Sequence, residues 1–165
     1  MEHVTHFFPG MIKPFQPMLA AKCPKGTSSE DFMRQLRLPL WETPKIDGIR
    51  CITIDQPGDR SHWFNLPITR HLKPQPNNYV RRMLGEHCPV GLDGELVALD
   101  EEGRMLPYYE TSSALLSYDG EPKFKFLVFD YITPETRLDG YLKRLEQLRA
   151  RSLPDFCKVL EPVQV

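Results

Sequence analysis

Residues 45–54 read Lys-Ile-Asp-Gly-Ile-Arg-Cys-Ile-Thr-Ile, a polar start followed by β-branched residues in partial alternation. Aspartate and glycine are turn-forming residue types, so Asp47 and Gly48 predict a turn. The residues after them favour a β-strand over 49–54, which a Pro-Gly-Asp turn at 57–59 is expected to end. The pattern therefore puts Lys45 at a turn immediately before a strand.

Helix signals lie on both sides of this strand. An acid three positions after Ser28 predicts a capped helix that ends before Pro39. A second helix is expected over about 77–88, where apolar residues follow an asparagine pair at helical spacing. Thr133 followed by a proline predicts the start of a third helix, whose apolar stripe continues to Leu148.

Further strand signals decide the fold class. Residues 91–99 alternate around a central carboxylate, residues 124–132 are rich in aromatic and aliphatic side chains, and 159–162 resemble the start of another strand. Sixteen prolines divide the chain into short segments, which disfavours a helix bundle. The sequence predicts an α+β fold in which antiparallel β-sheets are flanked by short helices.

The composition limits the classes of protein to consider. With 165 residues, of which 41% are hydrophobic, the chain suits one domain with a buried core. Its 21 basic and 22 acidic side chains give a net charge of -1, which argues against a polybasic binder but leaves room for a local basic patch. The four cysteines lack zinc-ligand spacing, and no run of about 18 apolar residues predicts a membrane span. We expect a cytoplasmic protein with reduced thiols and no membrane partner.

Lys45 is the sharpest candidate for chemistry. A lysine attacks phosphorus only as the neutral amine, so its pKa must be lowered by burial or by neighbouring cations, including a bound metal. Arg50 offers a planar fork for ribose or phosphate oxygens. Taken alone, the same residues also fit an ordinary charged surface turn.

The segment at 45–48 resembles the Lys-x-Asp-Gly signature of the nucleotidyltransferase superfamily of DNA ligases, RNA ligases and mRNA capping enzymes. Four other segments resemble ligase motifs in the family's order. They are Pro-Met-Leu-Ala at 17–20, the segment at 69–80 that runs from Thr-Arg through Leu-Lys-Pro to Pro-Asn-Asn-Tyr-Val, Gly-Leu-Asp-Gly-Glu-Leu at 91–96 and Phe-Leu-Val-Phe-Asp-Tyr at 126–131. Each motif alone could consist of ordinary surface or core residues, but the occurrence of all five in the family's order is far more specific. The chain is therefore similar to the adenylation domain of an ATP-dependent DNA ligase.

The resemblance implies roles for individual residues. Lys45 would be the nucleophile that takes AMP from ATP, and Arg70 would contact the nucleotide or the 5′-phosphate end of a nick. Phe129 would stack on adenine, and Glu95 would orient a ribose hydroxyl or bind Mg²⁺. The remaining nucleotide-binding candidates are Ile46, Arg50 and Thr43. Thr43 lies at the position where family members recognise the adenine amino group.

The resemblance also implies the wider organisation. Residues 1–165 would form the N-terminal portion of an adenylation domain with the ligase and capping-enzyme nucleotidyltransferase fold, which is ATP-grasp-like. In the family, Glu-Gly and Lys-x-Lys strands and an oligonucleotide-binding barrel are expected after the segment at 126–131, and residues 132–165 contain neither pattern. We therefore expect a fragment or a natural truncation that joins nicks poorly or not at all. The compactness of the motifs suggests a phage or bacterial origin.

The implied reaction begins with lysyl-AMP formation from ATP with Mg²⁺. The AMP would then pass to the 5′-phosphate of a nick in double-stranded DNA, which is sealed during repair, replication or recombination by a monomeric enzyme. Two alternatives stay open. An RNA ligase or an mRNA guanylyltransferase shares the central motifs, and a non-catalytic nucleotide or nucleic-acid binding module would keep the site without the chemistry.

Overall fold

A computed structural model of the chain describes residues 24–37, 39–55 and 65–165. The segment predicted at 17–20 and the turn predicted at 57–59 lie outside the described residues. In chain order the elements are α1 (Ser29–Arg34), β1 (Trp41–Glu42), β2 (Ile49–Ile54), β3 (Leu66–Thr69), α2 (Asn78–His87), β4 (Leu92–Ala98), α3 (Tyr108–Leu116), β5 (Phe124–Tyr131), α4 (Tyr141–Arg149), β6 (Cys157–Val159) and β7 (Val163–Gln164).

The main sheet has five strands within the described residues, in the order β3-β2-β4-β5-β6. The first three pairings are antiparallel, and β6 joins β5 in parallel. A short antiparallel pair, β1 with β7, lies apart from this sheet. Short helices alternate with the strands, so the predicted α+β class with mainly antiparallel sheet is confirmed.

One face of the main sheet packs under the helices. Buried residues of β4 and β5, including Leu96 and Phe126, form one cluster with Leu84 of α2, Leu115 of α3 and Leu148 of α4. Because side chains alternate across a strand, the residues between these face the opposite side of the sheet. That opposite face carries the site candidates of β2, β4 and β5, which are Arg50, Glu95 and Phe129.

Two helix starts follow the sequence prediction because their caps are local. The Ser28 side chain accepts a hydrogen bond from the Asp31 backbone N–H, and the Asn77 side chain accepts one from Val80. Asn77 also donates to the carbonyl of Ser117, which ties the start of α2 to the end of α3. Each cap satisfies backbone donors that a helix leaves unpaired at its first turn.

The third helix begins later than predicted. The expected start was Thr133, but α4 begins at Tyr141 after an N-cap at Gly140. The Thr136 hydroxyl accepts a hydrogen bond from the Thr133 backbone N–H at 2.7 Å and donates to the Tyr131 carbonyl, and residues 134–138 form turns. Threonine hydroxyls compete with helical hydrogen bonding in this way.

Other elements also differ from the sequence prediction. The helix α3 and the strand β3 were not predicted, and the strand expected to start at 159 is instead β6, which ends there. The burial pattern of α3 explains its omission, since only Thr111 and Leu115 of its nine residues are buried. A face that narrow leaves little periodic signal in the sequence.

Candidate active site

Lys45 lies in the loop between β1 and β2, where its side chain is 85% exposed and forms an ion pair with Asp47. The hydrogen bond and charge of Asp47 raise the pKa of Lys45 above its ordinary value, and the charge of Glu95 acts in the same direction. The lowered lysine pKa expected from burial or neighbouring cations, including a bound metal, stays a prediction for the site with nucleotide and metal bound. In the protein alone the pKa of Lys45 is raised. The reason is that the closest partner of the amine is the Asp47 carboxylate, whose effect on the pKa exceeds the opposing effect of burial.

Gly48 joins this loop to the sheet by close packing against β4. A Cβ atom at this position would lie 2.3 Å from the Leu96 carbonyl oxygen and 2.9 Å from Cγ of Glu95. Gly48 does not have a positive φ angle; among the described glycines, positive φ occurs at Gly26, Gly91, Gly103 and Gly120. The glycine is needed for this backbone approach and not for the turn conformation that the sequence suggested.

Glu95 lies opposite Arg50 in the β2–β4 register, so the two side chains share a face. Burial raises the pKa of the Glu95 carboxyl, while Arg50 and a hydrogen bond from the Gly48 backbone N–H oppose that rise. The Lys45 ammonium also acts on this carboxyl through its charge. Glu95 is thus a half-buried acid between a lysine and an arginine.

Arg50 connects the acids of β4 to the aromatic residue of β5. Its Nε donates to Asp93 Oδ1 at 2.5 Å and its Nη2 donates to Asp93 Oδ2 at 2.6 Å, a bidentate fork. The guanidinium carbon lies 4.8 Å from the centroid of the Phe129 ring, within cation–π range. Burial raises the pKa of the Asp93 carboxyl, and the fork from Arg50 opposes that rise.

Phe129 lies at an irregularity of the β4–β5 ladder. Asp93 pairs with Asp130 and Gly94 pairs with Val128, so Phe129 is the extra residue of a β-bulge. Phe129 and Ile46 are both half-buried against a cluster that contains Leu127. The structure therefore brings an aromatic ring, an apolar residue next to Lys45, and Arg50 to one side of the sheet.

The other two candidates lie farther from this group. Thr43 is half-buried just after β1, and Arg70 is exposed at the end of β3, which β2 separates from β4. The structure thus gathers Lys45, Ile46, Arg50, Glu95 and Phe129 and sets Arg70 two strands from Glu95. The roles of Thr43 and Arg70 stay predictions.

Sequence reasoning missed three charged residues at the site: Asp93, Asp130 and Arg144. The strand period of two could have found Asp93, which precedes Glu95 by two positions and therefore shares its face. Arg144 gave no such signal, because its contact with Asp130 connects α4 to β5 across 14 residues.

The metal prediction rests on Glu95 alone. Among the residues that the structure describes, no three histidine, cysteine or acidic side chains are grouped so that they could hold a metal ion. One carboxylate suits Mg²⁺ when phosphate oxygens and water supply the other ligands. Glu95 as a metal ligand stays a prediction.

None of the helices within 24–37, 39–55 and 65–165 is both long and apolar enough to cross a bilayer.

The chain is similar in sequence to two curated proteins named probable DNA ligase. It is 35% identical over 113 residues to the one from Nocardia farcinica and 32% identical over 132 residues to the one from Saccharopolyspora erythraea. The matches cover 65% and 78% of this chain but 20% and 24% of the relatives. The chain thus spans about a fifth to a quarter of the length of these proteins. No protein-family model matches the chain.

The fold is similar to that of a viral enzyme. Two crystal structures of Chlorella virus DNA ligase-adenylate align with TM-scores of 0.63 and 0.64 at 25% and 27% sequence identity. The alignments cover 92% and 91% of this chain and 51% and 50% of the viral chains. Sequence and fold comparisons therefore agree on the same kind of protein.

Proposed function

We propose a function from the premise that the chain is related to the ATP-dependent DNA ligases over part of their nucleotidyltransferase domain. The function is formation of a lysyl-AMP on Lys45 from ATP, as the first step of DNA strand joining. The observation that carries this proposal is the convergence of Lys45, Glu95, Arg50 and Phe129 around one face of the sheet.

The first step needs an amine, a phosphorus and a leaving group. The Nζ atom of Lys45 forms a bond to the α-phosphorus of ATP, and the bond from that phosphorus to the bridging oxygen breaks. Pyrophosphate leaves with the electron pair, and the ammonium gives up two protons to solvent on becoming a phosphoramidate. Since Asp47 raises the lysine pKa, the reaction should become faster as pH rises above neutrality.

The nucleotide would lie against the face that the candidates share. Phe129 and Ile46 offer apolar surface to a purine, and base stacking on an aromatic ring contributes about 1 to 3 kcal/mol. Glu95 is close to Lys45 and can accept a hydrogen bond from a ribose hydroxyl. Arg50 has Nε and Nη2 committed to Asp93, so the Asp93 contact orients the guanidinium that would contact the nucleotide.

Later steps extend the proposal to DNA. The AMP would move to the 5′-phosphate of a nick, and the 3′-hydroxyl of the nick would displace it to form the phosphodiester bond. Bound Mg²⁺ would neutralise phosphate charge during these transfers. The order of the five motifs supports assignment of residues 1–165 to the N-terminal portion of the adenylation domain. A monomer in the cytoplasm is expected.

Intact mass spectrometry after incubation with ATP and Mg²⁺ tests the first step. We expect one added AMP on the wild-type chain and on Lys158→Ala, an exposed lysine of β6, and none on Lys45→Ala. The same incubation with GTP separates the alternatives, since an adduct of GMP instead of AMP would favour a capping enzyme.

A second measurement distinguishes chemistry from binding. Calorimetric titration with ATP should give a dissociation constant for both the wild type and Lys45→Ala, because Phe129 and Glu95 remain. Saturable binding without any adduct at any pH would contradict the enzyme and support a nucleotide-binding module. Joining of a nicked RNA duplex in preference to DNA would point to an RNA ligase.

A further inference from the structure

Two aspartates face each other across the centre of the sheet. Asp93 of β4 and Asp130 of β5 are register partners, and each is only 3% exposed. They meet at the β-bulge that contains Phe129. Two buried carboxylates this close repel each other, so burial of both is costly unless cations neutralise their charge.

Each aspartate has its own arginine. Arg50 forks onto Asp93, as described above, and Arg144 of α4 forks onto Asp130, with Nε to Oδ1 and Nη2 to Oδ2 both at 2.8 Å. The Arg144 side chain is 13% exposed and the Asp130 side chain is 4% exposed. The two parallel hydrogen bonds of such a pair orient both side chains, in addition to the attraction between their charges.

Arg144 is itself anchored at its other end. Its Nη1 donates to the Asp139 carbonyl at 2.6 Å, in the turn before α4. Asp130 Oδ1 also accepts the Tyr131 backbone N–H at 2.8 Å, just beyond the bulge. The Arg144–Asp130 pair thus links the first turn of α4 to the strand that presents Phe129.

The two pairs are coupled through Arg50. The charge of Asp130 acts on Arg50 in addition to that of Asp93. If Arg144 were removed, Asp130 would be a buried carboxylate without its cation, and Arg50 is a cation within reach of its field. Arg50 would then be drawn from Asp93 and from the Phe129 ring.

We propose that Arg144 is a positioning residue for the nucleotide site: by pairing with Asp130 it keeps Arg50 on Asp93 and Phe129 at the bulge. Arg144 would touch no nucleotide and would act only through these residues. The inference rests on the proposed function for its effect on ATP, but its effect on Arg50 can be measured without nucleotide.

The experiment compares Arg144→Gln, the double variant Asp130→Asn with Arg144→Gln, and Lys143→Gln, an exposed neighbour on the same helix. We expect Arg144→Gln to weaken ATP binding by about tenfold, within the range of pairwise couplings. The double variant should recover to within about threefold of the wild type, because it no longer contains an unpaired buried carboxylate. Lys143→Gln should bind as the wild type does.

The spectroscopic readout is the Nε–H signal of Arg50 in a ¹H–¹⁵N spectrum of the nucleotide-free protein, assigned by its loss in Arg50→Lys. It should shift in Arg144→Gln and return in the double variant. An unshifted signal with unchanged ATP affinity in folded Arg144→Gln would overturn the proposal, as would a double variant no better than the single one. A merely structural loss would lower the unfolding temperature in both variants without this recovery.

Two further outcomes have defined meanings. If Arg144→Gln does not fold, Arg144→Lys replaces it, because a lysine keeps the charge but cannot form the bidentate contact. The Arg50 signal should then shift and ATP binding should weaken about threefold. If neither changes, the proposal is overturned. If the wild type does not bind ATP, the proposed function fails while the Arg50 signal still tests the positioning role.

Discussion

Replacement of Gly48 by alanine tests the closest packing contact of the candidate site. The added Cβ would lie 2.3 Å from the Leu96 carbonyl oxygen, about 0.7 Å inside the 3.0 Å that such atoms essentially never cross. The obstacle is backbone of β4, next to the Ile49–Leu96 pair of the β2–β4 register. Relief therefore requires the two strands to separate locally.

The expected magnitude follows from overpacking in well-packed regions. Such substitutions cost about 1 to 3 kcal/mol, and a rigid backbone neighbour favours the upper half of that range. For a domain of this size about 2 kcal/mol lowers the unfolding temperature by about 4 to 8 °C. Because the Cβ would also lie 2.9 Å from Cγ of Glu95, ATP binding should weaken together with stability.

Urea denaturation of purified Gly48→Ala, with Gly140→Ala as the matched control, measures this effect. A Cβ added at Gly140 would meet no heavy atom within 4 Å, and this residue has φ -65° and ψ 156°, which alanine adopts readily. The control, an N-cap, should change stability by no more than about 1 kcal/mol. A Gly48→Ala variant as stable as the control would refute the packing argument.

Three other predictions concern charge, thiols and caps. Burial raises the folded-state pKa of Glu95 above its unfolded value, so ionisation of the Glu95 carboxyl costs stability as pH rises past the unfolded pKa. Glu95→Gln should therefore raise the unfolding temperature at pH 7 by on the order of 1 °C, and this gain should disappear near pH 4. The same variant should weaken ATP binding. Cys51 is fully buried and burial raises its thiol pKa, so iodoacetamide should label it only after urea unfolding, which peptide mass mapping would reveal. Asn77→Ala removes the cap bond from Val80 and the bond to the Ser117 carbonyl and should cost about 2 kcal/mol by thermal unfolding. An unchanged unfolding temperature would contradict this role of the cap.

The elements that the sequence predicted correctly depend on contacts within a few residues. The cap of Ser28 and the cap of Asn77 each involve a partner three positions away, and β2 at 49–54 follows from β-branched residues in series. The collinear motifs named Lys45, Arg50 and Glu95 as candidates for one nucleotide site. The structure places Arg50 opposite Glu95 in the β2–β4 register and Lys45 close enough for its charge to act on Glu95.

The features that the sequence did not predict depend on particular side-chain contacts and on strand register, which propensity and periodicity do not include. The late start of α4 follows from the Thr136 hydroxyl hydrogen-bonding near Thr133 and Tyr131, which a helix propensity does not include. The lysine pKa was expected to be low, but the partner that the folded loop provides is Asp47. The bulge at Phe129 exists only relative to the register of β4.

The sequence by itself determined the class of fold, the order of the motifs and the residue types of the site, because these depend on local hydrogen bonding and on the alternation of side chains along a strand. Only the tertiary structure decided how the charges are paired. Asp93 takes Arg50 and Asp130 takes Arg144 because sheet register and helix packing bring residues from distant parts of the chain within hydrogen-bonding distance. Electrostatic energies depend on those distances and on burial, and neither can be obtained from the amino-acid sequence without the folded structure.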